Sequence, residues 1–375
     1  MQEASLTEYA KSAPGDPIAL ISLSALRRNY RLAARLVRPA ELIAVVKANG
    51  YGHGAVETAK ALAREGARSF AVARLSEALA LRAALPRAEI LILGHSPPAA
   101  APLLARLGLV QAVGSLPYAL RLAEAAEAPV RIHLKIDGGM GRLGLCPDEA
   151  GLSDASRILS HPLLCTEAIF SHLPTADDPS EKESERRLAR IAAFGASLSP
   201  HLPIHALASA GILRFGAAGM PLVRSGILLY GYSPSSSLSA EGFSPAMHLY
   251  APILAVRHLR AGDTVGYGSR FIAPCDVTAA TLAIGYGDGL PRSLSGASLS
   301  VSGAAAPILG RICMDMTVCR LPDGSGLQEG DLFPIFGGRG ASLSDLARAA
   351  KTIPYELLSA LTARVRRIYD DEGKG

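Results

Sequence analysis

The chain has 375 residues, 49 % of them hydrophobic and 19 % charged, with a formal net charge of +5. That length favours two domains, and mild charge, 5 % aromatics and no Trp exclude a nucleic-acid stacking platform. Five cysteines without a CxxC pair argue against a disulfide framework or a structural zinc site and for a reducing compartment. The N-terminal MQEASLTEYAKSAPGDP lacks the basic start and apolar run of a signal peptide. No stretch approaches the roughly 18 apolar residues of a membrane span. A cytoplasmic protein without a bound metal is the expectation.

From about residue 18 to about 230, short apolar runs alternate with helical stretches rich in Ala, Leu and Arg. The strand candidates are IALISL, LIAVV, SFAVA, EILIL, LVQAV, VRIHLKI, TEAIF and PIHAL, and RLSEALALRAAL between two of them carries helical spacing. Eight such units predict an α/β fold, a (β/α)8 TIM-like barrel over residues 15–235. Alternation does not say whether the sheet closes, so a doubly wound open sheet is the alternative. After GILLYGYSPSSSLSAEGF the texture changes to short extended runs separated by turn signals, from APILAVRHL to LFPIFG. This predicts a C-terminal mostly β domain over 240–375, with residues 1–14 packing on it.

The most informative segment is LIAVVKANGYGHG, in which an apolar run ends at Lys47. In a parallel barrel the C-terminal ends of the strands carry the active site. A lysine desolvated there falls below its usual value of about 10 and becomes a good amine for an aldehyde cofactor. By chemistry alone, Lys47 is equally well a surface lysine ending a strand. Residues 139–144, GMGRLG, satisfy the dinucleotide fingerprint G-x-G-x-x-G. They sit mid-chain rather than in a first βα turn, which argues against that use.

VVKANGYGHG resembles the cofactor-lysine motif of the alanine racemases. ISLSALRRNY, VARLSEALALR, IHLKIDGGMGRLG, FSHLPTAD, VRSGILLYGYSP, VGYGSRF, IGYGDGLPR, GRICMD and TIPYELL match that family in order and spacing over nearly the whole chain. The resemblance implies pyridoxal 5'-phosphate as cofactor, carried by Lys47, which is also the base on the D-alanine side. It implies that Tyr51, Ser209, Tyr355 and the backbone amides of Gly226 and Ile227 hold the phosphate. Arg142 would bind the cofactor's phenolic oxygen and the substrate carboxylate, a task suited to a planar, permanently charged fork. Lys135 would be carbamylated, giving an anion that orients Arg142, and Gly138 stands where threonine is usual, leaving that loop more flexible.

Arg224 matches the residue facing the pyridine nitrogen. A guanidinium accepts no proton, so that nitrogen stays largely unprotonated, which disfavours transamination. His172 would support the arginine from beside it. Racemisation calls for bases on both faces of the α-carbon, and the resemblance assigns the second to Tyr267, acting on L-alanine. A tyrosine does so only if its phenolate is stabilised, by cations or a histidine such as His172. Met314 would offer its backbone amide to the substrate carboxylate, with Tyr286, Cys313 and Asp315 around the entrance. Tyr267 and Met314 would come from a partner subunit, in a head-to-tail homodimer with shared sites. Two departures stand out: Ala208 replaces an asparagine and Ser225 a proline. The implied activity is interconversion of L- and D-alanine, supplying D-alanine for peptidoglycan. The alternatives are a carrier of the same cofactor and a racemase of another small amino acid such as serine.

Overall fold

The computed structural model describes residues 15–178 and 181–371; the expectation for residues 1–14 lies outside them. The described chain forms two compact units, one of residues 25–50 and 54–244, the other of 15–24, 51–53 and 245–371.

The chain opens with β1 (Ile18–Ser22) and α1 (Leu23–Leu36). Strands and helices then alternate: β2 (Glu41–Val45), α2 (Ala55–Arg64), β3 (Ser69–Val72), α3 (Leu75–Ala84), β4 (Glu89–Ile92), α4 (Ala101–Arg106), β5 (Val110–Val113) and α5 (Leu116–Glu124). They continue with β6 (Val130–Lys135), α6 (Glu149–Leu159), β7 (Leu164–Phe170), α7 (Glu181–Ala196), β8 (Ile204–His205), α8 (Ser209–Phe215) and β9 (Leu222–Ser225). Strands β2 to β9 form one eight-stranded sheet whose paired neighbours run parallel, with β9 beside β2. The remaining seam lies between β8 and β9, where the Arg224 N–H donates to Leu207 O at 3.0 Å. This is the nearly closed barrel expected from the alternation, rather than the open sheet.

One strand assignment changes. IALISL, read as the first of the eight barrel strands, is β1, which pairs antiparallel with residues 247–250 and parallel with residues 366–370 in the other unit. The eighth barrel strand is instead β9. Both outcomes have one cause: an apolar run reports burial but not which sheet it joins. The four residues of β9 include an arginine and a serine, too short and polar to stand out.

Local chemistry sets the helix starts. The Ser115 side chain accepts from Tyr118 N–H at the start of α5, and Asp148 accepts from Gly151 N–H at 2.8 Å at the start of α6, which satisfies N–H groups the helix itself leaves unpaired. The N-cap of α8 is Ala208, which has no side-chain acceptor.

The second unit is a mixed sheet in the order β16 (Thr317–Arg320), β13 (Val277–Leu282), β10 (Met247–Leu259), β1, β18 (Arg366–Asp370), with β17 (Leu332–Phe336) also on β10. The 13-residue β10 serves neighbours along both its halves, shifting register between Ile253 and Ala255. Two short hairpins extend from this unit: β11 (Thr264–Val265) with β12 (Phe271–Ile272), and β14 (Ser298–Val301) with β15 (Ala304–Pro307). Helices α9 (Leu343–Ala349) and α10 (Pro354–Ala360) precede β18. Strand content thus dominates this unit, as its turn-rich sequence predicts. No helix among the described residues is long and apolar enough to cross a membrane.

Replacing Ala208 by asparagine supplies the missing cap of α8. It is expected to stabilise the chain by about 1 kcal/mol, read as a higher denaturation midpoint. A lower midpoint would show that the larger side chain is not accommodated.

Candidate active site

The barrel residues picked out from sequence gather at the C-terminal ends of its strands. Lys47 lies two residues beyond β2, Lys135 ends β6, His172 lies two beyond β7, Ser209 opens α8, Arg224 lies in β9, and Gly226 and Ile227 follow it. Arg142 sits in the loop after β6. This is the end of a parallel barrel where loops converge and chemistry is placed.

The dominant feature of this mouth is positive charge. Burial pushes the Lys47 amine below the usual lysine range, and Arg142 and Arg224 push it further, while Glu77 opposes them. Burial, then Arg224 and Arg142, lower Lys135 to about 8, against a smaller opposing effect from Asp137. His172 falls to about 3 through burial and the same cations, so its imidazole is neutral at physiological pH. Asp137 is already engaged, its carboxylate accepting from the backbone N–H groups of Gly139, Met140 and Gly141 at 2.8–3.3 Å. Lys47, Lys135, Arg142 and Arg224 therefore hold more positive charge than the carboxylates near them neutralise. The donor set fits a ligand carrying phosphate, phenolate and carboxylate groups, and a depressed lysine amine fits its aldehyde.

Arg224 is fully enclosed, and burial lowers its pKa to about 10. Its Nη1 donates to His205 O at 2.8 Å and meets His205 Nδ1 at 2.5 Å; its Nη2 donates to Ser171 O at 2.5 Å. A guanidinium only donates, so His205 Nδ1 accepts and the ring proton sits on Nε2. That atom faces His133 Nδ1 at 3.0 Å, which accepts in turn. Burial and Arg224 lower both histidines, His133 to about 4, so two neutral rings in one tautomeric order back the arginine. Phe170 stacks on His205 at 5.2 Å. Sequence reasoning passed over both histidines, although the signal was there: a His in VRIHLKI and another in PIHAL, each polar within a buried strand.

The loop after β6 differs from its expected slackness. Asp137 gathers three of its amides, Arg187 Nη1 from α7 donates to Gly138 O at 2.6 Å, and Leu145 N–H returns to Lys135 O at 2.9 Å. A Cβ on Gly138 would lie 2.7 Å from both His172 O and Ser171 Oγ. The glycine here permits close approach to β7's end rather than giving freedom. Beyond β9, Ser209 Oγ accepts from Gly226 N–H at 3.0 Å, bringing two phosphate-site candidates together.

The remaining candidates belong to the second unit. Tyr51 is buried, with its ring 5.9 Å from that of Tyr355 on α10; burial raises its hydroxyl well above the usual tyrosine value. Tyr267 lies in the turn between β11 and β12 and is 71 % exposed; Met314, in the loop before β16, is 52 % exposed. The Met314 loop is fixed from behind, with Gly287 N–H donating to Met314 O and Arg364 bridging Asp288 and Asp315 at 3.0 and 2.8 Å.

Comparison with known proteins identifies the family of both parts of the chain. Residues 21–234 match the alanine racemase N-terminal domain, and residues 246–369 match the alanine racemase C-terminal domain. The biosynthetic alanine racemase of Pseudomonas aeruginosa is 39 % identical over 359 residues, covering 94 % of this chain and 98 % of the relative. Among solved structures, an alanine racemase of Clostridium difficile 630 superposes with a TM-score of 0.90 at 30 % identity, covering 95 % of this chain and 96 % of the other. The Bartonella henselae alanine racemase with covalently bound pyridoxal phosphate gives 0.86 at 32 % identity, covering 95 % and 100 %. With both domains matched and the barrel's chemistry at the expected strand ends, the chain belongs to the alanine racemase family.

Proposed function

We propose that this chain interconverts L- and D-alanine using pyridoxal 5'-phosphate carried on Lys47. The observation that carries this reading is the depressed amine of Lys47 set among cations that exceed their carboxylate partners. The match to the C-terminal domain favours the enzyme over a carrier built from the barrel alone. When bound, the cofactor supplies the electron sink that makes the α-proton of an amino acid removable.

The chain's own residues do the rest. Lys47 Nζ, whose burial and neighbouring cations favour the neutral amine, takes or returns the α-proton on one face. Tyr267 Oη serves the other face, from a partner subunit, with the Met314 amide binding the substrate carboxylate. The strongly exposed positions of Tyr267 and Met314 suit a surface covered by a second copy. Arg142 would bind that carboxylate and the cofactor's phenolic oxygen. Tyr51, Ser209, Tyr355, Gly226 and Ile227 would hold the phosphate, and Arg224 would face the pyridine nitrogen without giving up a proton. His172 stays neutral and supports the arginine. Lys135 accepts carbon dioxide: its neutral amine bonds to the carbon and a proton is released, leaving a carbamate anion that balances Arg142. The reading extends to a cytoplasmic homodimer that supplies D-alanine; the Pseudomonas relative is itself named a biosynthetic alanine racemase.

Incubating the enzyme with L-alanine in deuterated water tests the activity. Loss of optical rotation together with deuterium at the α-carbon is the expected outcome; a yellow protein giving neither would refute it. Tyr267→Phe should keep the cofactor's colour yet lose about 10²–10⁴-fold of turnover on L-alanine; a colourless variant would assign Tyr267 to structure instead. Lowering Lys135 to about 8 leaves about one amine in ten neutral at pH 7 and half at pH 8. A carbon-13 carbamate signal formed from labelled bicarbonate should therefore grow between pH 6 and 8 and vanish in Lys135→Arg. A signal that persists in the variant would place it elsewhere.

A further inference from the structure

The four residues after Lys47 trace an uncommon path. Ala48, Asn49, Gly50 and Tyr51 have φ of 52°, 52°, 63° and 50°, a single left-handed turn. The left-handed conformation costs an L-residue about 1–2 kcal/mol, and only one of the four is glycine. Part of the support is internal: Gly50 N–H donates to Val46 O at 2.9 Å, and the Asn49 side chain accepts from Ala55 N–H at 3.1 Å. The rest comes from one carboxylate outside the turn. Glu77 Oε1 accepts from Ala48 N–H at 2.6 Å, while its Oε2 accepts from Ala73 N–H at 2.8 Å and Arg74 N–H at 3.0 Å.

Those three amides lie in two different loops. Ala48 follows β2, and Ala73 and Arg74 join β3 to α3. Glu77 sits in the first turn of α3, where a carboxylate commonly reaches back to the N-cap amide. Its second oxygen does something a cap does not: it crosses to the neighbouring strand's loop. The N–H it holds belongs to the peptide joining Lys47 to Ala48. Fixing that planar unit fixes the direction in which the backbone leaves Lys47.

We propose that Glu77 is a positioning residue for Lys47, clamping the Lys47–Ala48 peptide in its left-handed turn and tying the turn to the loop after β3. This rests on the reading of Lys47 as the cofactor lysine and proton carrier. The carboxylate has a second effect through space, since its negative charge opposes the cations that depress the Lys47 amine.

Glu77→Gln keeps the length but has one acceptor oxygen, so it cannot serve both loops; Glu77→Asp keeps the charge but is one methylene shorter. Amide hydrogen exchange of the full chain as purified, followed by mass spectrometry, reads the clamp without any assay of activity. Both variants should exchange about 10-fold faster in peptides covering residues 46–51 and 72–76, with β10 and β13 unchanged. Turnover should fall by about 10²-fold with little change in the alanine KM, as expected when a reacting group is misplaced. The acid limb of the kcat profile, which reports the substrate complex in which Lys47 is free of the cofactor, should move to lower pH in Glu77→Gln, where the opposing negative charge is gone, and stay in place in Glu77→Asp. Unchanged exchange in residues 46–51, or loss of protection throughout both units, would overturn the proposal. An inactive parent enzyme that still shows the local exchange effect would refute the racemase reading and leave the clamp standing.

Discussion

Concentrated positive charge at one end of the barrel is the constraint on which the rest of the site depends. Lys47, Lys135, Arg142 and Arg224 push on one another, and Asp137, the carboxylate opposing Lys135, spends its oxygens on its own loop. Separating like charges from water without partners is costly. The protein limits the cost in two ways. It depresses the lysines toward neutrality, and it keeps His172, His205 and His133 uncharged. An anionic cofactor and an amino-acid carboxylate would complete the balance, since their charges suit the cations gathered there.

Fixed direction matters as much as charge. Arg224 is enclosed between strand ends and held by His205 and by carbonyls of Ser171 and His205. Because a guanidinium donates only, the two histidines behind it are ordered in one tautomer, and the arginine has no route to pass a proton forward. Its backbone also closes the barrel seam at Leu207. One residue thus joins the barrel seam to the positive charge of the site. The turn after Lys47 follows the same logic, storing left-handed strain where a lysine must be aimed.

Much of this was legible in the sequence. Strand-helix alternation gave the barrel, and the change of texture after the SSS stretch gave a β-rich second unit. LIAVVKANGYGHG placed Lys47 at the chemically useful end of a strand, a position equally open to a surface lysine until the resemblance to the family decided between them. What remained hidden depends on pairing and direction. Apolar character could not assign IALISL to its sheet, and β9 was too short to read. Gly138 looked like slack when it is a close-approach position. Glu77 lies in a helical motif whose spacing announces a helix cap but not a second acceptor reaching the next loop. Tyr267 and Met314 carry no local signal at all: an exposed tyrosine in a hairpin turn and an exposed methionine acquire meaning only through resemblance to the family.

Two lysines at the barrel mouth have depressed amines, and the account assigns them different partners: the cofactor to Lys47 and carbon dioxide to Lys135. Borohydride reduction of the yellow enzyme, which fixes the cofactor to its lysine, followed by peptide mapping, separates the two directly. Cofactor recovered on the peptide containing Lys47 alone is the result the account predicts. Cofactor recovered on Lys135, or on any other lysine, would contradict it.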